Sequence, residues 1–391
     1  MSVILAAAAL LFAGFGAAGA RPDSASSSMV YRWGVVGNRG AITSLQLDTP
    51  TAVAGIPRRA GTVTMIATSN SDGYALTSRG EVYGWGVNSY GELGDGRLTP
   101  YSTKAVRVQF PAGVKITSLP NPMPFDGGLA IDSKGRAFGW GLNADGDLCN
   151  DGAIESRPER IPLTDVTLAT GARTHSLFVS HGALYACGSG DAGELGDGST
   201  DSHTTPIRVR GLPAKQKITA LTSSWEGSGA LLANGSYYDW GYNADGQLGD
   251  DSTTDRARPV RVRLPGPVIQ VFQGGSGRKN GQTIAILKGG AIYDWGANSD
   301  GQLGDGTTTS SDVPIRLRVP SDVTFTQVNS GGFATYAIGS HGQLWDWGSN
   351  AEGQLGLGSA VSMRTRPTRV GVQLTQVSST AQNVAGLHTK R

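Results

Sequence analysis

From residue 29 onward the hydrophobic positions fall into short runs broken by glycine, and the runs recur in a fixed order. A β-branched run opens each unit, as in Ile116-Thr117-Ser118-Leu119, Ile218-Thr219-Ala220-Leu221 and Phe325-Thr326-Gln327-Val328. Alternation over so few residues is the period of a strand, whose successive side chains face opposite ways. A second run follows, such as Tyr74-Ala75-Leu76-Thr77 or Tyr336-Ala337-Ile338. Next comes a two-residue turn ending in glycine: Arg79-Gly80, Lys134-Gly135, His181-Gly182, Asn234-Gly235 or His341-Gly342. Hairpin turns of that length need positive φ, which glycine and asparagine adopt at little cost. The third run is aromatic, Val82-Tyr83-Gly84-Trp85-Gly86 in one unit. The fourth starts with proline in Pro206-Ile207-Arg208-Val209, Pro259-Val260-Arg261-Val262 and Pro314-Ile315-Arg316-Leu317. Proline cannot donate to a ladder, so this run reads as an edge strand. Beyond the N-terminal segment no stretch of 12 residues holds a 3.6-residue period free of glycine and proline, so the pattern predicts an almost all-β chain.

These four runs form one repeating unit. The aromatic run centres on Trp33, Trp85, Trp140, Cys187, Trp240, Trp295 and Trp347, at spacings of 52, 55, 47, 53, 55 and 52 residues. That is the length of a four-stranded propeller blade. The expected fold is therefore all-β, a seven-bladed β-propeller. The first copy begins at its third strand, Met29-Val30-Tyr31-Arg32-Trp33-Gly34, and the last stops after two strands, Leu374-Thr375-Gln376-Val377 through Ala385-Gly386-Leu387. The ring is thus expected to close by pairing the N- and C-terminal half-blades, which leaves neither edge open. After each aromatic run comes a Gly-(Gln/Glu)-Leu-Gly motif, as in Gly246-Gln247-Leu248-Gly249, Gly301-Gln302-Leu303-Gly304 and Gly353-Gln354-Leu355-Gly356. With the Trp-Gly pairs, this motif resembles the signature of the regulator of chromosome condensation repeat family, over nearly the whole chain from residue 29. The resemblance implies a seven-bladed propeller. It also implies, for one branch of the family, guanine-nucleotide exchange on the nuclear GTPase Ran.

Composition changes the picture in three places. Glycine is abundant, 58 of 391 residues, but its positions recur with aromatic and leucine partners, so it marks turns rather than low complexity. The net charge is only +2, which argues against an overall electrostatic attraction to nucleic acid or to an anionic membrane. The N-terminus carries an apolar, Ala/Gly-rich segment, Val3 to Ala20, ending in the cleavage-like Ala18-Gly19-Ala20. No Lys or Arg precedes Arg21. Residues 1–20 are read as an export signal, with a membrane anchor as the alternative. Residues 21–28 are read as a Ser-rich linker and 29–391 as the propeller, which places the protein outside the cytoplasm as a monomer. The two cysteines, Cys149 and Cys187, are able to form a disulfide in such a compartment. Their repeat positions instead suggest unbonded residues: Cys187 stands where other units carry Trp, as a small buried hydrophobe, and Cys149 replaces a loop glycine.

Candidate chemistry is sparse. The loop carboxylates Asp95, Asp151, Asp197, Asp250 and Asp305 lack the alternating ligands of a calcium loop and read as caps of their own turns. Asp239, Asp294 and Asp346 each precede a repeat Trp, and alternation sets them on the opposite face, as structural groups or a weakly acidic strip. His175 reads as a packing residue in a second strand, and His181 and His341 as turn residues. A ladder of Arg107, Arg160, Arg208, Arg261, Arg316 and Arg369 is taken as balanced by the repeats' own Asp residues. No phosphate loop, nucleophile elbow or zinc spacing occurs, so no catalytic residue, cofactor or metal is assigned.

The expected function is a non-catalytic protein-binding or scaffold propeller. The alternatives are a nucleotide exchange factor, although neither a basic nuclear tail nor a wedge-like insertion is present, and an inhibitor of a secreted hydrolase, since exported propellers with similar repeats include β-lactamase inhibitors. Loop length points to the binding site. From first strand to turn glycine most units span 14 residues, but Leu119 to Gly135 spans 16 and Val271 to Gly290 spans 19. The longer insert, Gly275-Ser276-Gly277-Arg278-Lys279-Asn280-Gly281, offers Arg278 and Lys279 as adjacent cations for an acidic patch on a protein partner.

Overall fold

Each turn glycine does close a hairpin, and the hairpins assemble in pairs. The computed structural model describes residues 28–36, 45–275, 277–358, 361–380 and 383–389. Among them, strands form seven four-stranded antiparallel sheets. Blade 1 consists of Val63–Thr68, Asp72–Thr77, Val82–Val87 and Tyr101–Arg107. Blades 2 to 6 repeat this order over residues 116–160, 166–208, 218–261, 268–316 and 325–373. The one helical element among the described residues is the 3-10 turn Arg58–Ala60, and no helix there is long and apolar enough to cross a membrane. The apolar stretch 3–20 and the linker up to residue 27 lie outside the described residues, and Ser28 already belongs to a strand.

The seventh blade is built from both ends of the chain. Its strand order joins Leu45–Ala52, Ser28–Val36, Asn383–Thr389 and Gln376–Thr380. Ser28 stands opposite Thr389 and Gly34 opposite Asn383, so the break in the chain falls where other blades have the turn between second and third strands.

Apolar side chains meet mainly between blades. Trp33, Trp85, Trp140, Trp240, Trp295 and Trp347 are all fully buried. The third and fourth strands slip register at the tryptophan, as between Gly84 and Gly86 in blade 1, and Gly86 takes a φ of 122° that L side chains rarely adopt. The tryptophan leaves the ladder there and serves the joint with the preceding blade. The indole N–H of Trp140 donates to the Glu92 carbonyl at 2.8 Å. Trp240 does the same to Glu194, Trp347 to Gln302 and Trp33 to Gln354. In each case the acceptor is the second residue of the Gly-x-Leu-Gly motif. The motif's last glycine has no room for a side chain: a Cβ on Gly196, Gly249 or Gly304 would lie 2.6 Å from the indole nitrogen of Trp240, Trp295 or Trp347.

That joint corrects the reading of the cysteines. Cys149 and Cys187 form a disulfide, with Cα atoms 5.4 Å apart. Cys149 occupies the glycine position of blade 2 and Cys187 the tryptophan position of blade 3, the two positions that touch at the other joints. Losing the indole opens room for a side chain at the glycine, and two sulfurs fill it. Taken one at a time, each cysteine is merely a departure from the repeat. The signal lies in the fact that both departures fall on positions that meet.

Candidate functional site

The fold sorts its loops onto two rims. Connections between first and second strands, and between third and fourth, share one rim; the two-residue turns and the links between blades share the other. The first strands of successive blades lie against one another around the axis. On the first rim the axis opens into a small pocket bordered by loops of blades 2 to 7, including Met123, Phe125, Arg173, Trp225, Gly275 and Thr380.

Both loops of unusual length border this pocket. The proline-bearing loop of blade 2 is tied to both neighbours: Met123 N–H donates to Thr68 of blade 1, and Phe125 N–H to Ala172 of blade 3. These bonds hold the half-buried Phe125 ring edge-on to Trp225 of blade 4, at 5.4 Å. Arg173 of blade 3 lies between them, exposed, with its guanidinium 4.0 Å from the Trp225 ring centre and 5.9 Å from that of Phe125. A cation over an aromatic face gains about 0.5–1 kcal/mol at an exposed site, and the rings hold the guanidinium at the mouth. This trio has little trace in the repeat pattern. Its only local signals were an aromatic and an arginine in loops that otherwise hold small residues.

The insert of blade 5 sits beside the trio. Arg278 and Lys279 are both exposed. Arg278, however, is already engaged: its guanidinium forks onto the Glu226 carboxylate at 2.8, 3.0 and 3.1 Å and lies 5.6 Å from the Tyr242 ring centre. Lys279 faces Asp245 and lowers the pKa that burial raises there. The two adjacent cations therefore differ in role. Arg278 fastens the insert to blade 4, and Lys279 stays exposed beside Asp245.

The remaining candidates take structural places. Asp95 accepts from the Asn88 side chain and the Arg97 amide, and Asp250 and Asp305 accept from Asn243 and Asn298 in the same way. Those Asp residues cap their loops, as expected. Asp239, Asp294 and Asp346 are fully buried and form no surface strip. Desolvation holds all three carboxyls well above the usual range. Asp239 accepts from Gln273 of the next blade at 2.6 Å, and Asp294 from Gln282 at 2.8 Å. His175 is fully buried, its pKa lowered by desolvation to about 3, and it meets the Ser228 hydroxyl at 2.7 Å. Among the described residues the loop Asp residues form no ion pair with the arginine ladder. Among the described residues, the ladder's ion pair within 4.0 Å is Arg107 with Glu81.

One set of joint carboxyls titrates near neutrality. The second motif position is Gln247, Gln302 and Gln354 in blades 4 to 6 but Glu92, Asp147 and Glu194 in blades 1 to 3. The Gln302 side chain accepts from the Asp300 amide and donates to the Gly332 carbonyl of the next blade. Glu194 accepts from the Ala192 amide in the same manner, but an ionised carboxylate has no proton to donate across the joint. Burial, aided by Glu226, raises Glu194 to about 7, and burial aided by Asp126 raises Glu92 to about 7. Each folded pKa lies above its unfolded value of 4.5. The protonated joint is therefore fully stable below pH 4.5 and loses stability as pH rises through 7. Glu194→Gln is expected to match wild type at pH 4 and to exceed it by up to about 3 kcal/mol at pH 8. Urea unfolding at both pH values measures the gap, and a gap that does not change with pH would sink the assignment.

The regulator of chromosome condensation (RCC1) repeat model matches residues 181–231, 234–277, 289–338 and 341–386. The chain is 30% identical over 300 residues to the ultraviolet-B receptor UVR8 of Arabidopsis thaliana, covering 74% of this chain and 66% of the receptor. It is 27% identical over 304 residues to the human E3 ubiquitin-protein ligase HERC2, covering 74% of this chain but 6% of the ligase. The chain thus spans less than two thirds of either relative. Among solved structures, Prp20p of Saccharomyces cerevisiae, described with its binding to Gsp1p and histones, superposes with a TM-score of 0.77 at 20% identity, covering 93% of this chain and 92% of that one. At that identity the likeness concerns the fold.

Proposed function

Because the chain belongs to the regulator of chromosome condensation repeat family, we propose that it is a non-catalytic propeller that binds a protein partner on the axial rim. The observation that carries this reading is convergence. The two loops that depart from the repeat length, and the exposed Arg173 between Phe125 and Trp225, all border one axial mouth. Repeats constrain joints through packing, so loops that depart from the repeat length beside an aromatic–arginine trio mark a surface shaped by something outside the fold. Arg173 and Lys279 give that rim a cationic character suited to an acidic patch ringed by apolar surface. Aromatic and arginine side chains of this kind anchor protein interfaces.

The protein is also read as exported. The Cys149–Cys187 bond supports this, since such bonds persist in oxidising compartments, as does the apolar N-terminal segment. Capture from extracytoplasmic extract, comparing wild type with Arg173→Ala/Trp225→Ala, tests the rim. The double variant is expected to lose a protein that the wild type retains. Lys279→Ala is expected to slow association at low salt and leave it unchanged at high salt. It is a cleaner probe than Arg278→Ala, which also leaves Glu226 unpaired. The same captured protein from wild type and the double variant, or robust nucleotide exchange on a small GTPase, would overturn the reading.

A further inference from the structure

The modest net charge conceals a one-sided distribution. In the described blades 1 to 6, the fourth strand carries an exposed arginine opposite an aromatic of the third strand, as Arg208 lies opposite Tyr185, Arg261 opposite Tyr238 and Arg316 opposite Tyr293. That arginine has a structural duty in these six blades: opposite the aromatic position, it charges an edge strand against unwanted pairing. The residue two places later has none that the repeat requires. It is Gln109 in blade 1, Pro162 in blade 2 and Gly371 in blade 6, but Arg210, Arg263 and Arg318 in blades 3, 4 and 5.

The intervening Val209, Val262 and Leu317 are buried, so both arginines of each pair point outward, roughly 7 Å apart along the extended chain. All six are exposed. Among the described residues none of the six has a carboxylate within 4.0 Å. Segments 203–219 and 256–271, which carry two of the pairs, contain no Asp or Glu. The pairs therefore set two exposed guanidiniums on the outer edge of each of three adjacent blades, toward the rim opposite the axial mouth.

We propose that this outer wall binds a linear acidic polysaccharide, one bearing sulfate or uronate groups along its length. A row of paired guanidiniums matches a chain of repeated planar or tetrahedral anions. Nucleic acid fits less well. Single strands are held by accessible aromatic platforms, whereas Tyr185, Tyr238 and Tyr293 lie half-buried beneath the arginine row. Reading a duplex by sequence needs an element that enters a groove, which an outer sheet edge does not project, and non-specific contact to phosphates is what the oligodeoxynucleotide comparison below separates. The preference for polysaccharide also rests on the exported reading.

Binding of the full chain to heparin and to polygalacturonate, measured across a salt series, tests the wall. Arg210→Gln/Arg263→Gln/Arg318→Gln places at all three sites the residue that blade 1 already tolerates. It is expected to keep the wild-type melting temperature, to weaken binding roughly tenfold or more, and to flatten the salt dependence by an amount that reflects three lost contacts. Arg107→Gln/Arg160→Gln, in blades without the second arginine, is expected to change affinity less than about twofold. The proposal is overturned if the triple variant binds both polysaccharides like wild type, or if the blade 1 and 2 control weakens binding equally. It is also overturned if an oligodeoxynucleotide of equal charge binds more tightly than either polysaccharide at the same salt. Each of these readouts is made in vitro, so a failure of the export reading would show separately, in where the protein is found.

Discussion

Deleting residues 374–391 is expected to abolish cooperative unfolding. The segment supplies the two inner strands of the seventh blade, and residues 28–52 supply the outer two. Val377 and Val384 share a buried cluster with Trp33, Leu355 and Val370, so they join the seventh blade to the sixth. Ala385 and Leu387 share another with Val30, Ile66 and Ala75, which joins it to the first. Removing the segment opens both joints and strips the pairing from one whole side of residues 28–36. The apolar burial lost is on the order of 10 kcal/mol, comparable with the entire stability of a typical domain. Intrinsic tryptophan fluorescence and far-ultraviolet circular dichroism should then give broad, non-coincident transitions in urea. A circular permutant provides the complementary test. Joining Thr389 to Ser28 through an Asn-Gly turn restores the hairpin that every other blade has, and opening the chain instead at Lys288–Gly289 moves the break into blade 5. The permutant is expected to unfold in one step, as wild type does. An unchanged midpoint in the deletion variant would contradict closure by a shared blade.

Removal of the disulfide is expected to have the next largest effect, with a specific rescue. Cys149 and Cys187 are 38 residues apart, and for a loop of that size replacing both by serine is expected to cost about 2–4 kcal/mol. Part of that cost arises from the empty joint, since two small polar side chains then stand where other joints hold an indole against a glycine. Cys149→Gly/Cys187→Trp rebuilds the arrangement of Gly249 with Trp295. Its indole N–H is placed to donate to the Asp147 carbonyl, which the Cys187 sulfur approaches at 3.5 Å in this protein. Ser176 stands opposite Cys187 in the ladder, as Ser228 does opposite Trp240, so the blade already holds a residue that tolerates the larger ring. The Gly/Trp variant is expected to recover more than half of the stability lost by the Ser/Ser variant and to become insensitive to reductant. Thermal melts with and without dithiothreitol compare the three proteins. A Gly/Trp variant no more stable than Ser/Ser would show that the two joint types do not substitute for one another.

The propeller could be read from the chain because its determinants are local and repeated. Turn glycines, the period-two runs and the Trp-Gly spacing each act within one blade, and seven copies make the blade length and the ring closure recoverable without any long-range contact. Loop lengths were equally plain, which is why the insert carrying Arg278 and Lys279 and the proline-bearing loop of blade 2 stood out. What remained was decided between blades. The disulfide, the fork of Arg278 onto Glu226, the placement of Arg173 between Phe125 and Trp225, and the near-neutral titration of Glu92 and Glu194 all depend on which residue of one blade faces which residue of the next. Those pairings join positions about 30 to 100 residues apart in the chain, and periodicity within a strand carries no record of them. A side chain's partner, and with it its protonation and its freedom to meet a ligand, is fixed only when the seven sheets close around the axis, because the joint and the rim exist only in the assembled ring.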